Sequence, residues 1–218
     1  MDMESNWAAE HIQVIRTLME RSAIYRRALA PVMIFNGAVG SVAAALGWFL
    51  KLGSPQGFIV YWAFAAAVAL AGSFLLVRRQ ALRESEPFWS PPTRRVTQAF
   101  LPPLAAGMII GIFIWFKESE APLIGPSFTF HWLFPFLPLA WVVLYGCAFH
   151  AAGFFMPRGM RLFGWAFVLG GCGGMLLAAQ QWSDRLDYAH GIMGLFFGGF
   201  HLAYGIYLYF TEQRRNEA

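Results

Sequence analysis

Six apolar runs, each close to the length of helix that crosses a bilayer, constrain this chain more than any other feature. A helix rises about 1.5 Å per residue, so about 20 apolar residues span a hydrocarbon core about 30 Å thick. The predicted spans are 29–50, 58–77, 99–116, 131–155, 162–181 and 188–210. In hydrocarbon, backbone polar groups must be bonded within the protein, and a helix bonds them within one segment. The sequence therefore predicts an all-α polytopic membrane bundle of six transmembrane helices.

Composition agrees with a membrane protein. Of the 218 residues, 58% are hydrophobic and 13% are charged. Soluble domains typically carry about 25% charged residues. The basic residues flank the apolar runs in short clusters and form no basic stripe, which excludes a nucleic-acid partner. Cys147 and Cys172 both fall inside apolar runs, so we expect two free thiols.

The basic residues also predict an orientation. Thirteen of the sixteen Lys and Arg residues fall on one side of the predicted membrane, and Lys51, Lys117 and Arg185 fall on the other. Loops rich in Lys and Arg stay in the cytoplasm, so both termini are predicted to be cytoplasmic. An even number of spans agrees with this. We expect a multi-pass protein of the bacterial inner membrane, with a cytoplasmic tail over 211–218.

The N-terminal segment 1–28 has the pattern of an amphipathic helix. Its apolar residues recur at helical spacing, and they are Ile12, Ile15, Leu18 and Met19. This pattern predicts an interfacial helix that lies on the cytoplasmic leaflet. A docking element for a cytoplasmic regulatory partner is the alternative.

Proline positions predict local features of the spans. Pro31 and the pair Pro102–Pro103 are expected in first turns, where a missing N–H costs little. Pro135 and Pro138 fall inside the fourth span and are expected to kink it.

Histidines are the main candidates for chemistry inside the spans, because no acid or lysine sits near the middle of any span. The candidates are His131, His150, His190 and His201, accompanied by Asn36 in the first span. His190 and His201 are eleven residues apart. On a regular helix that spacing returns them to within about 20° of each other. The sequence therefore predicts one helix face that carries both histidines.

One hypothesis for this face is helix packing. Gly194, Gly198 and Gly205 fall on nearly the same side as the two histidines, and small residues let helices approach closely. With Gly170 and Gly174, they predict that the fifth and sixth spans pack together or across a subunit boundary, which favours a homo-oligomer. On this hypothesis His201 bonds a carbonyl or a tyrosine.

Two other hypotheses give the histidines a ligand. A haem would lie between His131 and His190, or at His201 with another ligand. A divalent metal would be held near one end of the bundle by mixed oxygen and nitrogen ligands. Those candidates are Asp184, Asp187, His190 and His131.

Two stretches carry a resemblance to known proteins. They are "FWSPPTRR…LPPLAAG" within 88–107 and "GLFFGGFHLAYG" at 194–205. The chain resembles a group of uncharacterised small six-helix bacterial integral membrane proteins. That resemblance implies no activity, substrate or catalytic residue, and it leaves a regulatory role open.

Three functions remain open. The first is a non-enzymatic membrane protein that binds or transports a small solute or lipid, or senses membrane state for a cytoplasmic partner. The second is a haem- or metal-binding membrane redox subunit. The third is a periplasm-facing, metal-dependent hydrolase.

Overall fold

The apolar runs form helices that pack into a bundle. A computed structural model of the protein describes residues 29–52, 54–83, 85, 88–124, 136–156, 159–178 and 186–216. Within these ranges there are helices and turns but no strands. The helices are α1 Leu29–Phe49, α2 Pro55–Arg83, α3 Pro91–Ile124, α4 Leu137–Ala152, α5 Gly159–Ala178 and α6, over 186–216. Five are long and apolar enough to cross a membrane, whereas the described part of α4 is shorter. The predicted helical membrane fold is confirmed at this level.

The outer faces of the helices are apolar. Large side chains point away from the bundle, with Phe49 79% exposed and Leu162 73% exposed. Soluble monomers seldom expose contiguous apolar patches of more than a few hundred Å². The exposed apolar side chains on α1, α2, α3, α5 and α6 fit contact with lipid chains. Cys147 and Cys172 are exposed and unpaired, as expected for two free thiols.

Helix α3 begins earlier than its apolar run. It starts at Pro91, eight residues before the predicted span at 99, so Pro102 and Pro103 lie inside the helix and not in its first turn. The expectation for that pair is wrong. Pro91 takes the first-turn position, where proline is favoured. Inside α3, the missing N–H groups of Pro102 and Pro103 leave the Gln98 and Ala99 carbonyls without their usual partners.

Pro138 also differs from its expected position. It lies in the first turn of α4, where no intrahelical N–H is needed, so it does not kink the described helix. Pro135 and the predicted helix over 1–28 lie outside the described residues. At the other end of the chain, α6 remains helical to Asn216, into the segment expected to be a tail.

The helical extensions of α2 and α3 gather basic residues at one end of the bundle, here named the basic end. Arg78, Arg79 and Arg83 lie in the last turns of α2, while Arg94 and Arg95 lie in the first turns of α3. The Arg95 guanidinium lies 5.7 Å from the centroid of the Phe155 ring. This contact connects α3 to the turn that follows α4.

Helices α1 and α6 run antiparallel in close contact. A Cβ on Gly40 would lie 2.8 Å from the Gly198 backbone nitrogen, and one on Gly37 would lie 2.5 Å from the Leu202 nitrogen. Along the same line, Gly194 lies against Ala44. Glycine is required here because the two backbones leave no room for a side chain.

Gly194, Gly198 and Gly205 of α6 therefore pack against α1, and not against α5 as the packing hypothesis predicts. Gly198 lies against Ser41 of α1, and Gly205 lies against Ile34. Gly170 of α5 does meet α6, at the Phe196 ring, whereas Gly174 meets Leu139 of α4. The sequence could not assign this partner because several helices carry small residues.

Candidate functional site: an apolar cavity with a polar belt

His201 is buried and both of its ring nitrogens are engaged. It is 1% exposed, and its Nδ1 lies 3.1 Å from the Phe196 carbonyl oxygen. Its Nε2 lies 2.9 Å from the Tyr145 hydroxyl of α4. A carbonyl only accepts, so in the neutral ring Nδ1 carries the proton and the Tyr145 O–H donates to Nε2. His201 thus makes both kinds of hydrogen bond that the packing hypothesis names.

A π-helical segment explains how His201 reaches Tyr145. Residues Gly194–Phe200 form a π-helix between two α-helical parts of α6. The i→i+5 bonds of a π-helix widen its turn, so each residue advances by less than 100°. The eleven residues from His190 to His201 therefore do not return to one face. The expectation of a shared face is wrong for this reason.

His190 faces α1 and α2 instead. It is 1% exposed, and the Trp62 indole N–H donates to its Nδ1 over 3.2 Å. Its ring covers Gly47 of α1, where no side chain would fit. Its centroid lies 5.0 Å from that of Phe58 and 5.9 Å from that of Tyr61. Trp141 of α4 stacks on Phe58. We call this cluster the aromatic plug; it consists of Phe58, Tyr61, Trp62, Trp141 and His190.

The remaining candidate ligands do not join these two histidines. His150 lies near the end of α4 between the rings of Phe154 and Trp165, at centroid distances of 5.5 and 5.4 Å. In the described part of the chain, no group of three or more His, Cys, Asp or Glu side chains is placed to hold a metal ion. His131 and Asp184 lie outside the described residues, and of Asp187 only the backbone is described, in α6.

A cavity of about 530 Å³ lies between α1, α2, α3, α4 and α6. Trp62 and Trp141 line it at the aromatic plug, and Phe88, Thr93 and Met156 line it toward the basic end. Along α2 its lining runs from Trp62 to Val77. The fifteen steps from Trp62 to Val77 correspond to about 22 Å of helix. The cavity is thus long and narrow, and its long axis follows the helices.

Four polar side chains form a belt around the middle of this cavity. The Ser73 hydroxyl of α2 donates to Asn36 Oδ1 of α1 over 2.9 Å, and the Tyr145–His201 pair faces the cavity from α4 and α6. Gly37, next to Asn36, lies against Leu202, next to His201, so both pairs sit at one level. We call this group the polar belt; it consists of Asn36, Ser73, Tyr145 and His201.

Apart from Thr93 and Thr97 toward the basic end, the rest of the lining is mainly apolar. Among the described residues that border the cavity there is no Asp, Glu, Lys or Arg. Binding sites for small molecules typically occupy about 300–1,000 Å³ and combine apolar walls with a few placed polar groups. By volume and lining, this cavity can take up an elongated, mainly apolar molecule.

Sequence reasoning identified half of the polar belt. Asn36 and His201 stood out because polar side chains are rare in the middle of the spans. Ser73 and Tyr145 were missed, since serine and tyrosine are common in membrane helices. A systematic search for every hydroxyl near the centre of a span would have found both.

Comparison with models of protein families, with curated proteins and with solved structures found no match to this chain.

Proposed function

We propose that this protein binds an elongated, mainly apolar molecule of the membrane, such as a lipid chain, in the cavity lined by the polar belt. The cavity is the observation that supports this proposal, because it is long, mainly apolar and bordered by five helices. Of the three functions left open by the sequence, non-enzymatic binding is the one that this observation favours. No contact among the described residues favours the redox or hydrolase alternatives.

The dimensions of the cavity support a chain-like ligand. Its lining follows α2 from the aromatic plug toward the basic end. Transfer of each methylene out of water stabilises a bound chain by about 0.8 kcal/mol, although a ligand that comes from the bilayer gains less. Shape and the polar belt therefore decide selectivity, because surrounding lipid offers similar apolar contact.

As to location, we propose a six-span protein of the bacterial inner membrane with both termini in the cytoplasm. The distribution of Lys and Arg supports it. A fluorescent protein fused after Ala218 is expected to fluoresce, and alkaline phosphatase at the same site is expected to be inactive. Active phosphatase would overturn the orientation. A homo-oligomer formed through Gly194, Gly198 and Gly205 is not part of the proposal, because α1 covers these three glycines.

The binding proposal is tested by filling the cavity. Ala69 of α2 borders the cavity, whereas Ala71 lies on the exposed face of the same helix. Native mass spectrometry of protein purified in mild detergent is expected to show a bound lipid-sized mass. Ala69→Phe is expected to lose that mass, and the matched control Ala71→Phe is expected to keep it. Equal retention by both variants, or no bound mass in the unchanged protein even after incubation with a membrane lipid extract, would overturn the proposal.

A further inference from the structure

We infer that the occupant of the cavity is an uncharged amphiphile with one long apolar chain and an oxygen atom that accepts a hydrogen bond from the Asn36 amide. This inference rests on the proposed function and names the chemical class of ligand for the same cavity. It covers long-chain alcohols and long-chain ketones or esters, which share that accepting oxygen.

The absence of charge in the lining is the first argument. None of the described residues around the cavity is an Asp, Glu, Lys or Arg. A charged group in apolar surroundings is strongly disfavoured unless it is paired. The two pairs of the polar belt are hydrogen bonds between neutral groups and offer no counter-ion. A charged headgroup is therefore excluded at the level of the belt.

The hydrogen-bonding state of Asn36 is the second argument. Its Oδ1 accepts from Ser73, which leaves its NH₂ group to donate. The side chain borders the cavity, and its NH₂ group makes no hydrogen bond to another described residue. An amide donor that faces only methylene groups is costly. A lipid with its charged headgroup at the basic end would place a hydrocarbon chain in the cavity, and the Asn36 NH₂ group would then have no acceptor.

Tyr145 supplies the complementary group. Its O–H is committed to His201, so its oxygen keeps the capacity to accept a hydrogen bond, on a side chain that borders the cavity. The belt thus presents donors at Asn36 and an acceptor at Tyr145. A hydroxyl group matches both, and a carbonyl group matches Asn36 alone.

The inference is tested by competition in phosphatidylcholine nanodiscs. The probe is a photoactivatable hexadecanol with a diazirine in its chain, and the competitors are hexadecanol, 2-hexadecanone, hexadecane and hexadecyl sulfate at equal mole fractions. One net hydrogen bond predicts that hexadecanol and the ketone displace the probe about fivefold more effectively than hexadecane. Hexadecyl sulfate is expected to compete no better than hexadecane. Whichever oxygen compound competes more strongly identifies the oxygen that the belt prefers, and either result supports the inference.

A matched pair of variants assigns the preference to Asn36. Asn36→Leu is expected to remove the advantage of hexadecanol over hexadecane, while still taking up a diazirine-bearing hexadecane. Ser41→Ala, a similar loss of a polar group on α1 away from the cavity, is expected to keep the advantage. If Asn36→Leu does not fold, the competition experiment with the unchanged protein is by itself the test of the inference.

These experiments distinguish failure of the inference from failure of the proposed function. Equal displacement by hexadecane and hexadecanol, or strong displacement by hexadecyl sulfate, would overturn the inference and leave the proposed function intact. Labelling that Ala69→Phe does not reduce would overturn the proposed function itself.

Discussion

His190 and His201 are equally buried on the same helix, yet they occupy different environments. His190 accepts from an indole inside the aromatic plug and covers Gly47. His201 joins Tyr145 at the wall of the cavity. Burial of an ionisable side chain therefore does not by itself mark a binding site. The position of the ring decides, since His201 itself borders the cavity, whereas of the His190–Trp62 pair only Trp62 borders it.

The largest expected effect concerns the α1–α6 contact that positions both histidines. Gly40→Ala places a methyl group against the backbone of Phe197 and Gly198, which cannot move without separating the helices. We expect a loss of at least about 1–3 kcal/mol in the free energy of unfolding. Circular dichroism during thermal unfolding in detergent measures it.

Gly173→Ala is the matched control, because nothing among the described residues lies within 4 Å of its added methyl group. Its helix is expected to be unchanged or stabilised by up to about 1 kcal/mol. A Gly40→Ala protein as stable as the Gly173→Ala protein would contradict the close contact between α1 and α6.

An intermediate effect separates the two histidines directly. His201→Phe leaves the Tyr145 hydroxyl without its acceptor, and His190→Phe leaves the Trp62 N–H without its acceptor. Each is expected to cost about 1–3 kcal/mol of stability. Only His201→Phe is expected to reduce the advantage of hexadecanol over hexadecane in the competition assay. If His190→Phe weakened it equally, the two environments would not differ in function.

The smallest effects come from single hydroxyl groups in each environment. Tyr61→Phe removes a bond to the Ala43 carbonyl, and Ser73→Ala removes the bond to Asn36. Both are expected to cost about 0.5–1.5 kcal/mol. Thermal unfolding checks these costs, and the competition assay checks that only Ser73→Ala alters ligand preference. A change in ligand preference in Tyr61→Phe would contradict the functional difference between the aromatic plug and the polar belt.

Much of the fold follows from the sequence because the bilayer imposes a length and a polarity on each helix. The apolar runs located the starts of α1, α2, α5 and α6 to within three residues. The start of α3 was missed because its first turns are polar and still helical, as the Arg94–Arg95 pair illustrates. Apolar periodicity detects contact with lipid, and a helix that continues into water loses that signal.

The site was less predictable, because it depends on angular positions and on partners. Asn36 and His201 could be selected as rare polar groups. Their neighbours Ser73 and Tyr145 come from other helices, and the order of helices around a bundle cannot be read from one sequence. The π segment added a second error, since the helical-wheel argument for His190 and His201 assumes a uniform 100° per residue.

That π segment also makes the protein unusually tolerant of a one-residue deletion at one place. A π turn is in effect a local surplus of residues over an α-helix of the same height. Deletion of one residue, for instance Gly199 on the exposed side of the segment, would let a regular α-helix form there. The residues toward the C-terminus would then keep nearly their present angular positions, because the deletion removes only the surplus, and His201 would still reach Tyr145. In an α-helical part of the same helix, a one-residue deletion would instead turn every following side chain by about 100°.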